Sequence, residues 1–210
     1  MIKAVLWDFG GVVTTSPFEA FADYERNNGL PEGLIRQINS TNPDTNAWAH
    51  LERADVTPEG FAPLFEAEAA ALGHQVDGLA VLGLLSGRVR PEMAEAVRRC
   101  AERLVCACLT NNFAGGGLMA DPRRKSEVEA VHALFHHIIE SSKVGLRKPD
   151  PRIYHLACET MGVEPAEVVF LDDLGINLKP ARALGMTTIK VVDPAQARTE
   201  LGAAVGFPVD

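Results

Sequence analysis

Short, largely apolar runs alternate with amphipathic stretches along most of this chain. Ala4 to Trp7, Leu104 to Leu109, Val168 to Leu171 and Thr187 to Val192 are four to six residues long. Runs of that length and character fit strands buried on both faces of a parallel sheet. They predict a first strand over 3–8, with a further short strand over His137 to Glu140. Between them the apolar positions recur at helical spacing. Pro91 to Arg103 predicts an amphipathic helix. Ser126 and Glu129 form a candidate capping box for a helix reaching about Phe135. Lys148-Pro149-Asp150-Pro151 leads into a helix through Met161. Lys179 to Leu184 predicts another helix, closed by Gly185, and one weak helix follows Pro194. Strands alternating with helices predict an α/β fold, a doubly wound parallel sheet of Rossmann-like form.

Residues 16–87 break this rhythm. Phe18, Phe21 and Tyr24 share one helical face, and Gly29 can end that helix. Short helices are predicted over 31–38 and over Ala47 to Arg53, separated by the loop Asn42-Pro43-Asp44. Thr57-Pro58 is an N-cap followed by proline at the first helical position, starting a helix to about Leu72. A further apolar helix is predicted over 78–86. The expected organisation is a core of residues 1–15 and 88–210 with a helical cap of 16–87. Hinges are expected near Thr14–Pro17 and Gly87–Pro91. Phe18, Phe21, Tyr24 and Trp48 read as the core of the cap.

The 210 residues carry a formal charge of −8, which argues against a nucleic-acid partner or an anionic membrane surface. An anionic small molecule still fits if a metal ion reverses the local field. There is no leader-like start and no run of 18 apolar residues, so a cytoplasmic protein, monomer or homodimer, is expected. Cys100, Cys106, Cys108 and Cys158 show no metal or redox spacing and read as buried free thiols. His136-His137 reads as structural, and Arg123-Arg124-Lys125 as a solvated run.

The chemistry gathers at strand ends. The first strand runs into Asp8 and two glycines, Gly10 and Gly11; the second ends in Thr110-Asn111, and the third in Asp172-Asp173. Ends of parallel strands share one edge, where open α/β sheets bind ligands. A Gly-rich loop over 114–121 follows the second strand, and Lys148 enters from a loop on the same edge. Carboxylates held together need a cation, and a few hard oxygen ligands suit Mg²⁺. A carboxylate, a small hydroxyl, a lysine and Mg²⁺ together describe phosphoryl transfer onto an aspartate.

Asp8-Phe9-Gly10-Gly11-Val12, Leu109-Thr110-Asn111-Asn112, Lys148-Pro149-Asp150-Pro151 and Phe170-Leu171-Asp172-Asp173 resemble the four motifs of the haloacid dehalogenase-like (HAD) hydrolase superfamily, subclass I. The runs 139–145 and 171–182 are similar to the phosphatase-like N-terminal domain of soluble epoxide hydrolase. The resemblance implies a Mg²⁺-dependent phosphatase acting on a small phosphorylated metabolite. Asp8 would be the nucleophile, giving an aspartyl-phosphate. Asp8, the Gly10 carbonyl and Asp173 would hold the metal, with Asp172 ordering metal-bound water or Lys148. Thr110 and the Asn111 backbone N–H would hold phosphate oxygens, Lys148 would neutralise charge, and Asn177 would orient a carboxylate or a phosphate oxygen.

One position departs from the pattern. Most phosphatases of this superfamily carry an acid–base aspartate two residues after the nucleophile, where this chain has Gly10. General acid–base help worth roughly 10²–10⁴-fold is then missing. Two alternatives follow: a 2-haloacid dehalogenase-like hydrolase, which needs no second acid, or a non-catalytic phospholigand-binding or regulatory protein. Lipid, sugar and acyl phosphates all remain open as substrates.

Overall fold

The computed structural model describes residues 1–85, 87–113 and 122–210; the Gly-rich loop expected over 114–121 lies outside them. Five parallel strands form one sheet: β1 (Ala4–Trp7), β2 (Val105–Thr110), β3 (His137–Glu140), β4 (Val168–Asp172) and β5 (Thr187–Lys190), in the order β3-β2-β1-β4-β5. β1 lies at the centre of this order, and every one of its residues is buried. Its pleat sends Val5 and Trp7 into one hydrophobic cluster and Ala4 and Leu6 into the other. Strand order reverses between β1 and β4. That is the switch point where an open α/β sheet leaves a crevice outside its carboxyl ends.

Eleven α-helices accompany the sheet among the described residues. α1 (Phe18–Asn27), α2 (Leu34–Ser40), α3 (Ala47–Glu52), α4 (Pro58–Ala71) and α5 (Gly78–Gly83) follow β1. Between them they bury their own cluster, with Phe21, Trp48, Phe61 and Phe65 at its centre and Phe18 and Tyr24 against it. Asn46, Thr57 and Asp77 each accept a backbone N–H three residues into the helix they cap. Then come α6 (Pro91–Ala101), α7 (Pro122–His132), α8 (Ser141–Val144), α9 (Pro151–Met161), α10 (Gly175–Ala183) and α11 (Pro194–Val205). α6, α7 and α11 pack on one face of the sheet through Val97, Val131 and Leu201. α9 and α10 cover the other through Tyr154, Ala157 and Leu178.

The two passages between sheet and helical segment run side by side. Thr14 pairs antiparallel with Val89, Thr15 N–H donates to the Arg88 carbonyl at 2.8 Å, and Arg90 N–H to the Val13 carbonyl at 2.9 Å. Gly87 belongs to this seam: a Cβ there would lie 2.5 Å from the Thr15 carbonyl oxygen.

Several boundaries differ from those expected. α7 starts at Pro122, so Ser126 sits inside it rather than at its cap; proline opens a helix readily because its missing N–H is an orphan there anyway. α2 starts after Gly33 and α5 stops at Gly83. α10 begins at Gly175 and carries Pro180 in its interior. An interior proline costs about 3 kcal/mol, which burial of Asn177, Leu178 and Ala181 offsets. The last helix is not weak: α11 runs twelve residues and buries Ala197 and Leu201 completely.

Candidate active site

Asp8 leaves β1 at its carboxyl end, and its backbone N–H still donates to the Leu171 carbonyl of β4 at 2.9 Å. The chain then turns through Phe9–Val13, closed by a bond from Thr14 N–H to the Phe9 carbonyl at 3.0 Å. Asp8 Oδ1 caps this turn, accepting from Phe9 N–H at 2.7 Å. Gly11 makes it possible. Its φ is +79°, and a Cβ there would stand 2.2 Å from Asp173 Oδ2. Gly10 is under neither constraint: its φ is −69° and ψ 128°, and no atom lies within 4 Å of the Cβ it lacks.

Lys148 is the centre of the charge arrangement. Its Nζ lies 2.7 Å from Asp8 Oδ1 and 2.8 Å from Asp172 Oδ2. The side chain is 1% exposed, so it is no solvated surface lysine. Asn111 holds the backbone of the same residue from both sides. Its Nδ2 donates to the Lys148 carbonyl at 3.0 Å, and its Oδ1 accepts from the Lys148 N–H at 2.9 Å. The following Lys148–Pro149 bond is cis.

Asp172 is fully buried at the end of β4. Besides Lys148, it accepts from Leu174 N–H at 2.8 Å and from Asn177 Nδ2 at 3.1 Å on each oxygen. Of the two roles open to Asn177, the observed contact is with a carboxylate. Tyr154 fixes that residue by donating its hydroxyl to the Asn177 carbonyl at 2.7 Å. Asp8, Asp172 and Asp173 bring carboxylate oxygens within 4.8 Å of one another. Thr110 ends β2, two residues beyond Cys108, the register partner of Trp7.

The electrostatics follow from burial. Desolvation raises the Asp8 pKa well above the usual carboxylate value; Lys148 pulls it down, and Asp172 and Asp173 push it up. Asp173 is raised to about 6, by desolvation first and then by Asp172, against Lys148 and Arg90. Burial works against the charge on Lys148, yet Asp172 and Asp8 outweigh it and hold its pKa above the ordinary lysine value. Negative charge thus exceeds what Lys148 neutralises, and every donor is a hard oxygen. That donor set suits Mg²⁺ rather than a soft metal.

The residues expected at the site, Asp8, Gly10, Thr110, Asn111, Lys148, Asp172, Asp173 and Asn177, all lie at this one edge. Sequence reading missed the brace behind Asn111. Asn112 N–H donates to Ser141 Oγ at 3.0 Å, and Ser141 Oγ donates back to the Asn112 carbonyl at 3.1 Å. Asn112 Oδ1 also accepts from Ser142 Oγ at 2.8 Å, and its Nδ2 donates to Glu140 Oε1 at 2.7 Å. The signal available was the polar run Glu140-Ser141-Ser142 directly after a strand. All four cysteines are free and buried, and His136 Nδ1 accepts from Cys106 N–H at 3.0 Å, a structural contact.

A parallel sheet whose central strand delivers Asp8 to a lysine and two further aspartates defines a hydrolase class. The sequence profile of the haloacid dehalogenase-like hydrolases matches residues 2–185, and the chain belongs to that family. It is 35% identical over 217 residues to the acyl-CoA dehydrogenase family member 10 of Mus musculus, covering 99% of this chain and 19% of that protein. The bifunctional epoxide hydrolase 2 of Sus scrofa is 30% identical, covering 98% of this chain and 39% of the enzyme. A phosphatase of Mycobacterium tuberculosis is 30% identical, covering 94% and 90%. The chain thus spans under half the length of the first two. Among solved structures, a HAD family enzyme of Bacteroides thetaiotaomicron in complex with magnesium and inorganic phosphate shares the fold. Its TM-score is 0.60 at 21% identity, covering 90% of this chain and 94% of that one. No helix among the described residues is long and apolar enough to cross a membrane.

Proposed function

We propose that this hydrolase is a Mg²⁺-dependent phosphatase acting on a small phosphorylated metabolite through an aspartyl-phosphate at Asp8. The observation that carries this reading is the Lys148 ammonium, buried between Asp8 and Asp172. An ionised carboxylate approaches an anionic phosphoryl group only where fixed positive charge screens the repulsion. Asp8, the Gly10 carbonyl and Asp173 would hold the metal, with Asp172 behind them. When bound, Mg²⁺ supplies Lewis-acid polarisation of a phosphoryl oxygen and neutralises charge that Lys148 leaves uncompensated.

Asp8 attacks phosphorus and the bond to the leaving oxygen breaks. Thr110 and the Asn111 N–H hold phosphoryl oxygens during the transfer. Asn177 and the Leu174 N–H keep Asp172 oriented, so that Lys148 stays aimed at Asp8. Water then hydrolyses the acyl phosphate and releases inorganic phosphate. Residues 16–87 act as the cap that excludes bulk water and selects the organic part of the substrate, with 1–15 and 88–210 as the core. The relative in Mycobacterium tuberculosis that bears the name phosphatase supports this reading, as does the neighbour solved with magnesium and phosphate. Free thiols throughout suit a reducing cytoplasm.

Gly10 is the feature that favours a second reading. A dehalogenase displaces halide from carbon and needs no second acid, but it also has no use for a carboxylate cluster that calls for a cation. A screen of phosphoesters in Mg²⁺, with Asp8→Asn as the blank, tests the proposal. Hydrolysis that stops on chelation with EDTA is expected. Chloride release from 2-chloropropionate with EDTA present would establish the dehalogenase instead.

A further inference from the structure

Arg147 stands immediately before Lys148 and takes no part in the chemistry described above. Its Nε donates to Glu52 Oε2 at 2.6 Å and its Nη1 to the Pro43 carbonyl at 2.6 Å. Glu52 closes α3, and Pro43 lies in the loop before it. The guanidinium fork therefore grips one corner of the cap at two points. Each side chain of the ion pair is only 16% exposed, so the pair is largely shielded from water and salt. Among the described residues, and apart from the two linkers, Arg147 makes the side-chain hydrogen bonds that join residues 18–85 to the core.

The next residue belongs wholly to the site. Asn111 clamps the N–H and carbonyl of Lys148, and its Nζ bridges Asp8 and Asp172. The Asp150 N–H closes a turn back onto the Arg147 carbonyl at 2.9 Å. One peptide bond thus separates the group that holds the cap from the group that holds the nucleophile. Charge-assisted, forked hydrogen bonds are strong and directional. If α3 moves away from the core, either the ion pair breaks or the Arg147 backbone follows and strains the Asn111 clamp.

We propose that Arg147 is a positioning residue that couples cap closure to the placement of Lys148. With the cap docked, Glu52 and Pro43 fix Arg147 and the Lys148 peptide sits squarely on Asn111. With the cap lifted, the loop 147–150 loosens and the ammonium loses its fixed position between the carboxylates. The consequence for turnover rests on the phosphoryl-transfer reading, whereas the coupling itself does not.

The test compares wild type, Glu52→Ala, Arg147→Ala and the exchanged pair Arg147→Glu with Glu52→Arg, all in the full chain. Amide hydrogen exchange is read at Lys148 and Asp150, and at the linker amides of Thr15 and Arg90. Glu52→Ala changes only a cap residue, which touches neither Lys148 nor Asn111. It is nevertheless expected to speed exchange at Lys148 about tenfold, in the range of coupling between residues of one network. The exchanged pair restores the ion pair in reverse but not the donor to the Pro43 carbonyl, and is expected to recover part of that protection. Binding of inorganic phosphate in Mg²⁺ is expected to weaken by a similar factor in Glu52→Ala and to recover alike. Linker exchange that rises while Lys148 stays protected would reduce Arg147 to a simple latch and overturn the coupling. Unchanged exchange at every one of these amides would overturn it too. Failure of the wild type to bind phosphate would count against the phosphatase reading alone, since the exchange result still decides the coupling.

Discussion

Glycine stands at positions 10 and 11 for different reasons, and the difference can be tested. Gly11 is fixed by its positive φ and by the Asp173 carboxylate in the space of its missing side chain. Gly11→Ala is expected to displace Asp173 and abolish Mg²⁺ binding measured by calorimetry. Gly10 sits in ordinary extended backbone with open space beside it, so an aspartate fits there without strain. If the missing acid limits turnover, nitrophenyl and acyl phosphates react well, and alkyl phosphates lag by roughly 10²–10⁴-fold. Gly10→Asp is expected to narrow that gap. An unchanged dependence on leaving-group pKa, in a folded and metal-binding variant, would show that another group already serves as the acid.

Asp173 gives a pH signature at the same scale. Its pKa is raised from 3.8 to about 6 in the folded protein without metal, so the folded state holds this proton more tightly than the unfolded chain. The group favours folding at low pH, and its contribution is lost as pH rises from about 4 through 6. In EDTA, Asp173→Asn is expected to melt above wild type at pH 7.5, with the difference shrinking by pH 5. Mg²⁺ needs the ionised form, so its affinity for wild type is expected to fall below pH 6. A pH-independent affinity would contradict this assignment. The identity of these carboxylates was legible in the sequence because each ends an apolar run. The burial of Lys148 was not, since a lysine in a Pro-rich loop carries no local sign of what surrounds it.

At the scale of elements, order and type were readable wherever apolar period and punctuation agreed. Thr57-Pro58 starts α4 and Asp150-Pro151 starts α9 where expected, because a capping side chain and a proline act locally. α10 starts at Gly175, four residues before the expected Lys179, and tertiary packing keeps Pro180 inside it. The brace between Asn112 and Ser141 spans 29 positions and follows only from β2 and β3 being neighbours. Ser141 is fully buried. Ser141→Ala leaves both an N–H and a carbonyl of Asn112 without that partner, at an expected cost of about 1–3 kcal/mol in denaturant unfolding. Leu201→Ala in α11 is expected to cost about 2–5 kcal/mol, as for other buried leucines. A loss near zero would mean that α11 is peripheral after all.

Among the described residues, the sheet edge meets the helical segment through two paired linkers, the Arg147 fork and the packing of Phe113 against the helical cluster. On the proposed reading the edge contacts only the phosphoryl group, so selectivity would come from residues 16–87. On the same reading the net charge of −8 does not oppose an anionic substrate, because the local field would be set by Lys148 and a cation held by the aspartates. The proposed chemistry transfers the phosphoryl group to Asp8. Its most direct test is an acid quench of the protein during turnover of a phosphorus-labelled nitrophenyl phosphate in Mg²⁺, followed by peptide mapping. The expected result is label on Asp8, stable in acid and released by hydroxylamine as an acyl phosphate, and absent from Asp8→Asn. Turnover at the wild-type rate by Asp8→Asn, or steady turnover with label on any other residue, would contradict the account.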